Sequence, residues 1–370
     1  MRTLKELARS LDLSITTVSR ALAGYSDVSA KTRARVREAA AAHDYRPNAL
    51  ARRLQKGRSE AVALVLPAEP GHFDEPLFME MIVAIGARLA RADLDLIVMA
   101  ARQGAEEEKA YRRLVEGRRA DAAIVVRTRR RDSRIRYLMD HGFPFVAHGR
   151  TEEPGDYAFI DGDGEAAFRT ATAMLVARGH REIALINAPE HFMFAHLRAS
   201  GWRAALADAG LVPGPLRTAE ASEENGYRLM RELIALERRP DAVLCATDRI
   251  AIGALRAVAD AGLRAGEDIS VVGHDNISAA TYTDPPLTTL ELPIHGTGER
   301  LVEILLALLG GAHPREFQEV WPVKLIERRS HGQEPATRAP SGPKISRPKT
   351  KSPKTKSQGG NHARPSGLAP

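Results

Sequence analysis

From Ala61 onward, short apolar runs alternate with longer amphipathic stretches, and this alternation leaves few folds open. The runs AVALVLP, LDLIVMA, AAIVV, PFVAH, EIALINA, DAVLCAT, ISVVGHD and LTTLEL are rich in Val, Ile, Leu and Ala. A strand with one wet face alternates apolar and polar residues, whereas a strand covered on both faces reads as near-continuous apolar sequence. Between the runs, residues 78–91, 164–178, 194–209, 226–236 and 249–261 read as helical. Repeated βα order with doubly buried strands predicts parallel sheets with helices on both faces. About 270 residues of this pattern exceed what one core organises, so two doubly wound α/β lobes are expected. Ligands of such sheets bind beyond the carboxyl ends of the strands, and the residues just after the runs are the ones to search.

The first 60 residues follow another rule. Leu4, Leu7, Ala8 and Leu11 share one helical face, DLS interrupts, and Val18, Ala21 and Leu22 resume it. A third helix follows Ser29, a good N-cap, through AKTRARVREAAAAH. Pro47 in YRPN bars a helix at Arg46, and ALARRLQKG predicts a short helix ended by Gly57. Two helices joined by a tight turn match the helix-turn-helix plan. The second begins Ser14, Ile15, Thr16, Thr17, although β-branched residues are weak helix formers. Short side chains there let a helix end sink toward base edges, with Arg20 available to guanine or phosphate and Ile15 to a thymine methyl.

Charge divides the chain the same way. The net +7 is the sum of +8 over residues 1–58, −8 over 59–330 and +7 over 331–370. A basic head on an acidic body points to a polyanion at the ends of the chain. The tail, 331–370, includes KISRPKTKSPKTKSQGG, has little to bury and is expected to be disordered. Cys245 is the one cysteine, so an intramolecular disulfide and a cysteine-based zinc cluster are excluded. No run of eighteen apolar residues occurs, and Met1 to Leu22 lacks the order of a secretory signal, so a cytoplasmic location without membrane contact is expected.

LSITTVSRAL, VSAKTRARV, YRPN and ALARRL together resemble the DNA-binding head of the lactose-repressor/galactose-repressor (LacI/GalR) family. The resemblance implies that Ile15 and Thr16 read bases with Arg20, and that Thr3, Ser14, Thr17, Ser19 and Asn48 contact phosphates or position the head. It implies a hinge helix within 47–60, with Leu54 as a minor-groove wedge beside Ala51, an apolar insertion that kinks DNA. Two departures stand out: Asp12 occupies a turn position where Gly is frequent, and Ile15 replaces the more usual polar reader.

GHREIALINAP, RASGWRAAL, CATDRIAIGALRA, ISVVGHDN and DPPLTTLELP extend the resemblance to about Arg329. It implies a body like periplasmic sugar-binding proteins: two α/β lobes, three crossovers and a ligand in the cleft. On that basis the domains are 1–46, 47–60 and 61–330, with lobe 1 at about 61–160 and 291–318 and lobe 2 at about 161–290 and 319–330. Arg198 matches the family's effector arginine, Asp275 its cleft aspartate, and Thr247 with Asp248 its Asn/Asp pair, where Thr247 departs. Leu292 stands where the family can place a glutamine. Phe78 and Phe194 are candidate stacking walls, and Arg127, His148 and Arg150 end strands of the first lobe.

No G-x-S-x-G, H-E-x-x-H, Walker loop or G-x-G-x-x-G occurs, and no catalytic residue, cofactor or metal is expected. DGDGE at Asp161 imitates a calcium loop, but Thr172 stands where the closing glutamate belongs, which favours a βα turn. The expected protein is a homodimeric transcriptional regulator, a repressor of a pseudo-palindromic operator, controlled by a small sugar-like effector. A purine-like corepressor in the same architecture, or a solute-binding protein sharing only the body fold, are the alternatives.

Overall fold

The computed structural model describes residues 3–43, 45, 58–68 and 76–332. Asn48, Ala51 and Leu54, with most of the expected hinge, and the tail from residue 333 onward lie outside these residues.

The head forms α1 (Leu4–Ser10), α2 (Ile15–Leu22) and α3 (Ala30–Ala42). Thr3, Ser14 and Ser29 each cap one of them, accepting from the backbone N–H of Glu6, Thr17 and Thr32. Each cap satisfies an N–H that the helix itself leaves unpaired. Leu7, Ala8, Val18, Ala21, Val36 and Ala40 close a small core between the three helices. Asp12 takes the tight turn between α1 and α2 with φ 52°, the left-handed conformation that glycine adopts more cheaply.

Two parallel sheets make the body. The first contains β1 (Ala61–Pro67), β2 (Asp95–Ala101), β3 (Ala122–Val125), β4 (Phe145–His148), β5 (Ala158–Gly162) and β11 (Gln318–Trp321), ordered β11-β5-β4-β3-β1-β2. Strand alternation splits β1 between two cores. Val62, Leu64 and Leu66 pack with α4 (Pro76–Ala90) and α12 (Ile294–Leu309), while Ala63 and Val65 pack with α5 (Ala105–Val115) and α6 (Ser133–Asp140).

The second sheet contains β6 (Ile183–Asn187), β7 (Leu216–Thr218), β8 (Ala242–Cys245) and β9 (Ser270–Val272), ordered β7-β6-β8-β9. One face carries α7 (Gly164–Ala177) and α8 (Met193–Asp208), the other α9 (Glu223–Ile234) and α10 (Asp248–Asp260). After the short helix α11 (Ser278–Thr281), β10 (Thr289–Glu291) pairs antiparallel with β12 (Lys324–Ile326) beside this lobe. No helix among the described residues is long and apolar enough to cross a membrane.

The chain therefore passes between lobes after residues 162, 291 and 321. At Gly162 the three passages meet: a Cβ there would lie 3.2 Å from Val323 Cγ2 and 3.3 Å from Leu292 Cδ2. Two details depart from the boundaries expected from the sequence. The strand at 318–321 joins the first sheet, pairing in parallel with β5, rather than opening the last segment of the second lobe. The folded body also runs past residue 330, because Ser330 Oγ donates 2.6 Å to Val271 O and His331 is buried with Nδ1 2.6 Å from Thr288 Oγ1. DGDGE is a βα turn, with Asp163 capping α7 through the N–H of Ala166.

Candidate functional site

In the head, α2 turns its first residues to solvent. Its buried face, Val18 and Ala21, fixes the helix against α1 and α3, and the opposite side is left to Ser14, Ile15 and Thr16. Ile15 is 46% exposed, a poor use of an isoleucine in a core and a good one for an apolar contact with a thymine methyl. Thr17 and Ser19 are half-buried, and the Thr17 hydroxyl lies 2.8 Å from that of Ser14. Arg20 is half-exposed, 2.6 Å from Asp27 and with its guanidinium 4.6 Å from the Tyr25 ring centroid. Thr3 is exposed at the start of α1.

In the body, the carboxyl ends of both sheets face a cleft of about 970 Å³ up to its open mouth, within the range of small-ligand sites. Phe78, Arg127 and His148 line it from the first lobe and Phe194, Arg198, Thr247 and Asp275 from the second. Thr128, Asp161 and His274 also line it, and Leu77, Leu292, Ile294 and Val323 give one end an apolar wall.

Arg198 organises the polar end. It projects from α8, donates to the carbonyl of Ala246, and lies 4.8 Å from the Phe194 ring centroid and 5.8 Å from that of Phe168. Its Nη2 is 3.2 Å and 3.3 Å from the two ring nitrogens of His274, whose Nδ1 is 2.7 Å from Asp275 Oδ1. Burial, and then the charge of Arg198, hold His274 well below the ordinary histidine range, so the ring is neutral. One proton arrangement serves both contacts: Arg198 donates to Nε2, and Nδ1–H donates to Asp275.

Burial pushes the Asp275 carboxyl up to about 7, with Arg198 pulling it back. His148 is pushed down to about 4 by burial and by Arg198. Asp161 is raised by burial, against the pull of Arg150 2.8 Å away.

Two of the expected effector residues do not line the cleft. Asp248 is fully buried, and its carboxylate accepts from Thr289 Oγ1 at 2.6 Å and Ile277 N at 2.9 Å. Its oxygens tie α10 to the β10 segment, and burial followed by repulsion from Asp275 pushes its carboxyl up to about 7. Arg150 stands behind the wall, paired with Asp161. Conversely, His274 and Asp161 were passed over as ligand contacts. His274 precedes Asp275, and neighbours in an extended strand face opposite sides. The positive φ of Asp275, 117°, breaks that alternation and lets both reach the cleft.

The lobes also touch directly at the cleft. Arg130 N donates to His191 O and Met193 N to Thr128 O, each at 2.9 Å, forming an antiparallel bridge around Arg129 and Phe192. Arg127 lies 3.2 Å from Glu220 of the other lobe and 4.8 Å from the Phe192 ring centroid.

The description "Bacterial regulatory proteins, lacI family" matches residues 3–48, and "Periplasmic binding protein-like domain" matches 172–331. The HTH-type transcriptional regulator AglR of Rhizobium meliloti (strain 1021) is 38% identical over 340 residues, 90% of this chain and 95% of that protein. Among solved structures, the lac repressor dimer bound to operator and the anti-inducer ONPF matches with TM-score 0.79 and 28% identity, covering 90% of this chain and 99% of that one. The transcriptional regulator CelR–cellobiose complex matches with TM-score 0.69 and 28% identity, covering 89% and 100%. Likeness of this extent, through head and body alike, goes beyond a shared fold: the chain belongs to the lacI family and is a DNA-binding transcriptional regulator.

Proposed function

We propose that the chain acts as a homodimeric repressor of a pseudo-palindromic operator, and that a small sugar-like effector in the inter-lobe cleft sets its operator affinity. The observation that carries the effector reading is the array Arg198–His274–Asp275 at the polar end of the cleft, next to the Phe194 ring. Fixed donors and acceptors beside an aromatic face suit a ring that is hydroxylated at its edges and apolar on its faces. The solved relative in complex with cellobiose supports the same class. Symmetry supports the dimer, since two identical heads match two half-sites, and the operator-bound lac repressor is a dimer. An effector shifts operator affinity only by its preference between two states of the protein.

In the test, the full-length protein selects its operator from a pool of random duplexes. Anisotropy of the labelled operator is then followed at fixed salt while sugars and nucleobases are added. The expected result is a change in operator Kd of about 5- to 150-fold with at least one mono- or disaccharide. A response to nucleobases alone would replace the sugar by a purine-like corepressor.

A further inference from the structure

We propose that the cleft accepts an uncharged effector and rejects phosphorylated and carboxylated ones, an inference that rests on reading the cleft as the effector site. The charged side chains on its wall are two cations and two anions, Arg127, Arg198, Asp161 and Asp275. Each cation already has a carboxylate of the protein. Arg127 lies 3.2 Å from Glu220, and Arg198 reaches Asp275 through the neutral ring of His274. Arg150, behind the wall, lies 2.8 Å from Asp161.

Phosphate sites are built otherwise, from converging cationic donors or from the N–H groups of an open helix start. The two helix starts bordering this cleft carry carboxylates instead. Asp163 caps α7 through the N–H of Ala166, and Asp248 occupies the first turn of α10 beneath Thr247. The side chains of Asp161 and Asp275 are only 12% and 7% exposed, so water screens little of their repulsion toward an anion. An ionised carboxylate only accepts hydrogen bonds, so the fitting ligand brings O–H or N–H donors and no charge of its own. The apolar end at Leu77, Leu292 and Val323 has no polar side chain to receive an ionic group.

The test uses the full-length protein and matched pairs of probes: trehalose and trehalose 6-phosphate, glucose and glucose 6-phosphate, glucose and glucuronate, adenine and AMP. Thermal shift is read at equal ionic strength. The uncharged member of a responding pair should bind at least about 100-fold more tightly than its charged partner, the scale set by unmatched charge in a closed site. A charged member binding as well as or better than its neutral partner overturns the proposal. Adenine acting where no sugar does sinks the sugar reading and leaves the charge rule standing.

Two variants release a cation without enlarging the cleft: Asp161→Asn frees Arg150, and Glu220→Gln frees Arg127. Inorganic phosphate is the probe that needs no known effector. Against chloride at equal ionic strength it should stabilise both variants more than the wild type, with the phosphate response of the head common to all three. Equal shifts in the three proteins overturn the proposal.

Discussion

The guanidinium of Arg20 lies 2.6 Å from the carboxylate of Asp27, one turn and a loop further along the chain. The residue placed to meet guanine or phosphate is thus held by a neighbour in the free head. Both side chains are about half in water, where such a pair contributes at most about 1 kcal/mol. Asp27→Asn is expected to tighten operator binding by up to about fivefold. Arg20→Ala is expected to weaken it by about tenfold or more and to flatten its dependence on salt. Anisotropy titrations at several salt concentrations check both; an operator affinity indifferent to Arg20 would remove it from the interface.

Ile15 is expected to act on choice of sequence more than on folding. Its side chain is half in solvent, so Ile15→Ala should change the melting temperature little. The preference at one base position of each half-site should fall by about 1–3 kcal/mol, with other positions unchanged. Selection from random duplexes by wild type and variant reads this directly, and identical selected sequences would show that Ile15 faces no base.

Arg127 joins the lobes through Glu220 and the Phe192 ring, beside the backbone bridge at Arg129. Arg127→Met removes the charge-dependent part of that junction and keeps much of the packing. Effector affinity is expected to fall by about two- to fivefold, because the Glu220 side is part-exposed and screened. Calorimetric titration with the responding sugar measures it; an unchanged Kd would confine the junction to architecture.

Asp275 ties stability to pH with a definite sign. Its carboxyl is raised from 3.8 to about 7 in the folded state, so between these values the folded chain holds a proton that the unfolded chain has lost. Stability from this group is fullest below about pH 4, falls as pH rises toward 7, and is level above it. Asp275→Asn should therefore melt several degrees above the wild type at pH 8, and the gap should close toward pH 4. Effector affinity should run the opposite way, rising with pH to about 7, because ligand hydroxyls favour the ionised carboxylate. Melting curves and titrations across this range check both slopes.

The parallel lobes were legible because their strands are doubly buried, as the split of β1 between two cores makes plain. The head was legible from its caps, Ser14 and Ser29, and from the apolar spacing of Leu7, Val18 and Val36. The strands β7, β11 and β12 were harder to read, being short, edge-placed and only partly buried. Membership of β11 was illegible in principle from local pattern, since its partner β5 lies about 160 residues earlier in the chain. Strand ends pointed to Asp275, Thr247 and His148 in the cleft. Asp248 misled because position at a strand end does not say which way a side chain turns, and its oxygens were already engaged by Thr289 and Ile277. His274 was hidden by the unusual backbone at its neighbour.

The three passages between the lobes have a mechanical consequence. They run side by side at Gly162, Leu292 and Val323, close enough that a single methyl group at Gly162 would crowd the other two. Three adjacent tethers act like the spine of a book. They resist sliding and twisting of one lobe on the other and leave the covers free to swing. Whatever occupies the cleft can then be reported to the distant head as little more than one number, the angle at which the covers come to rest.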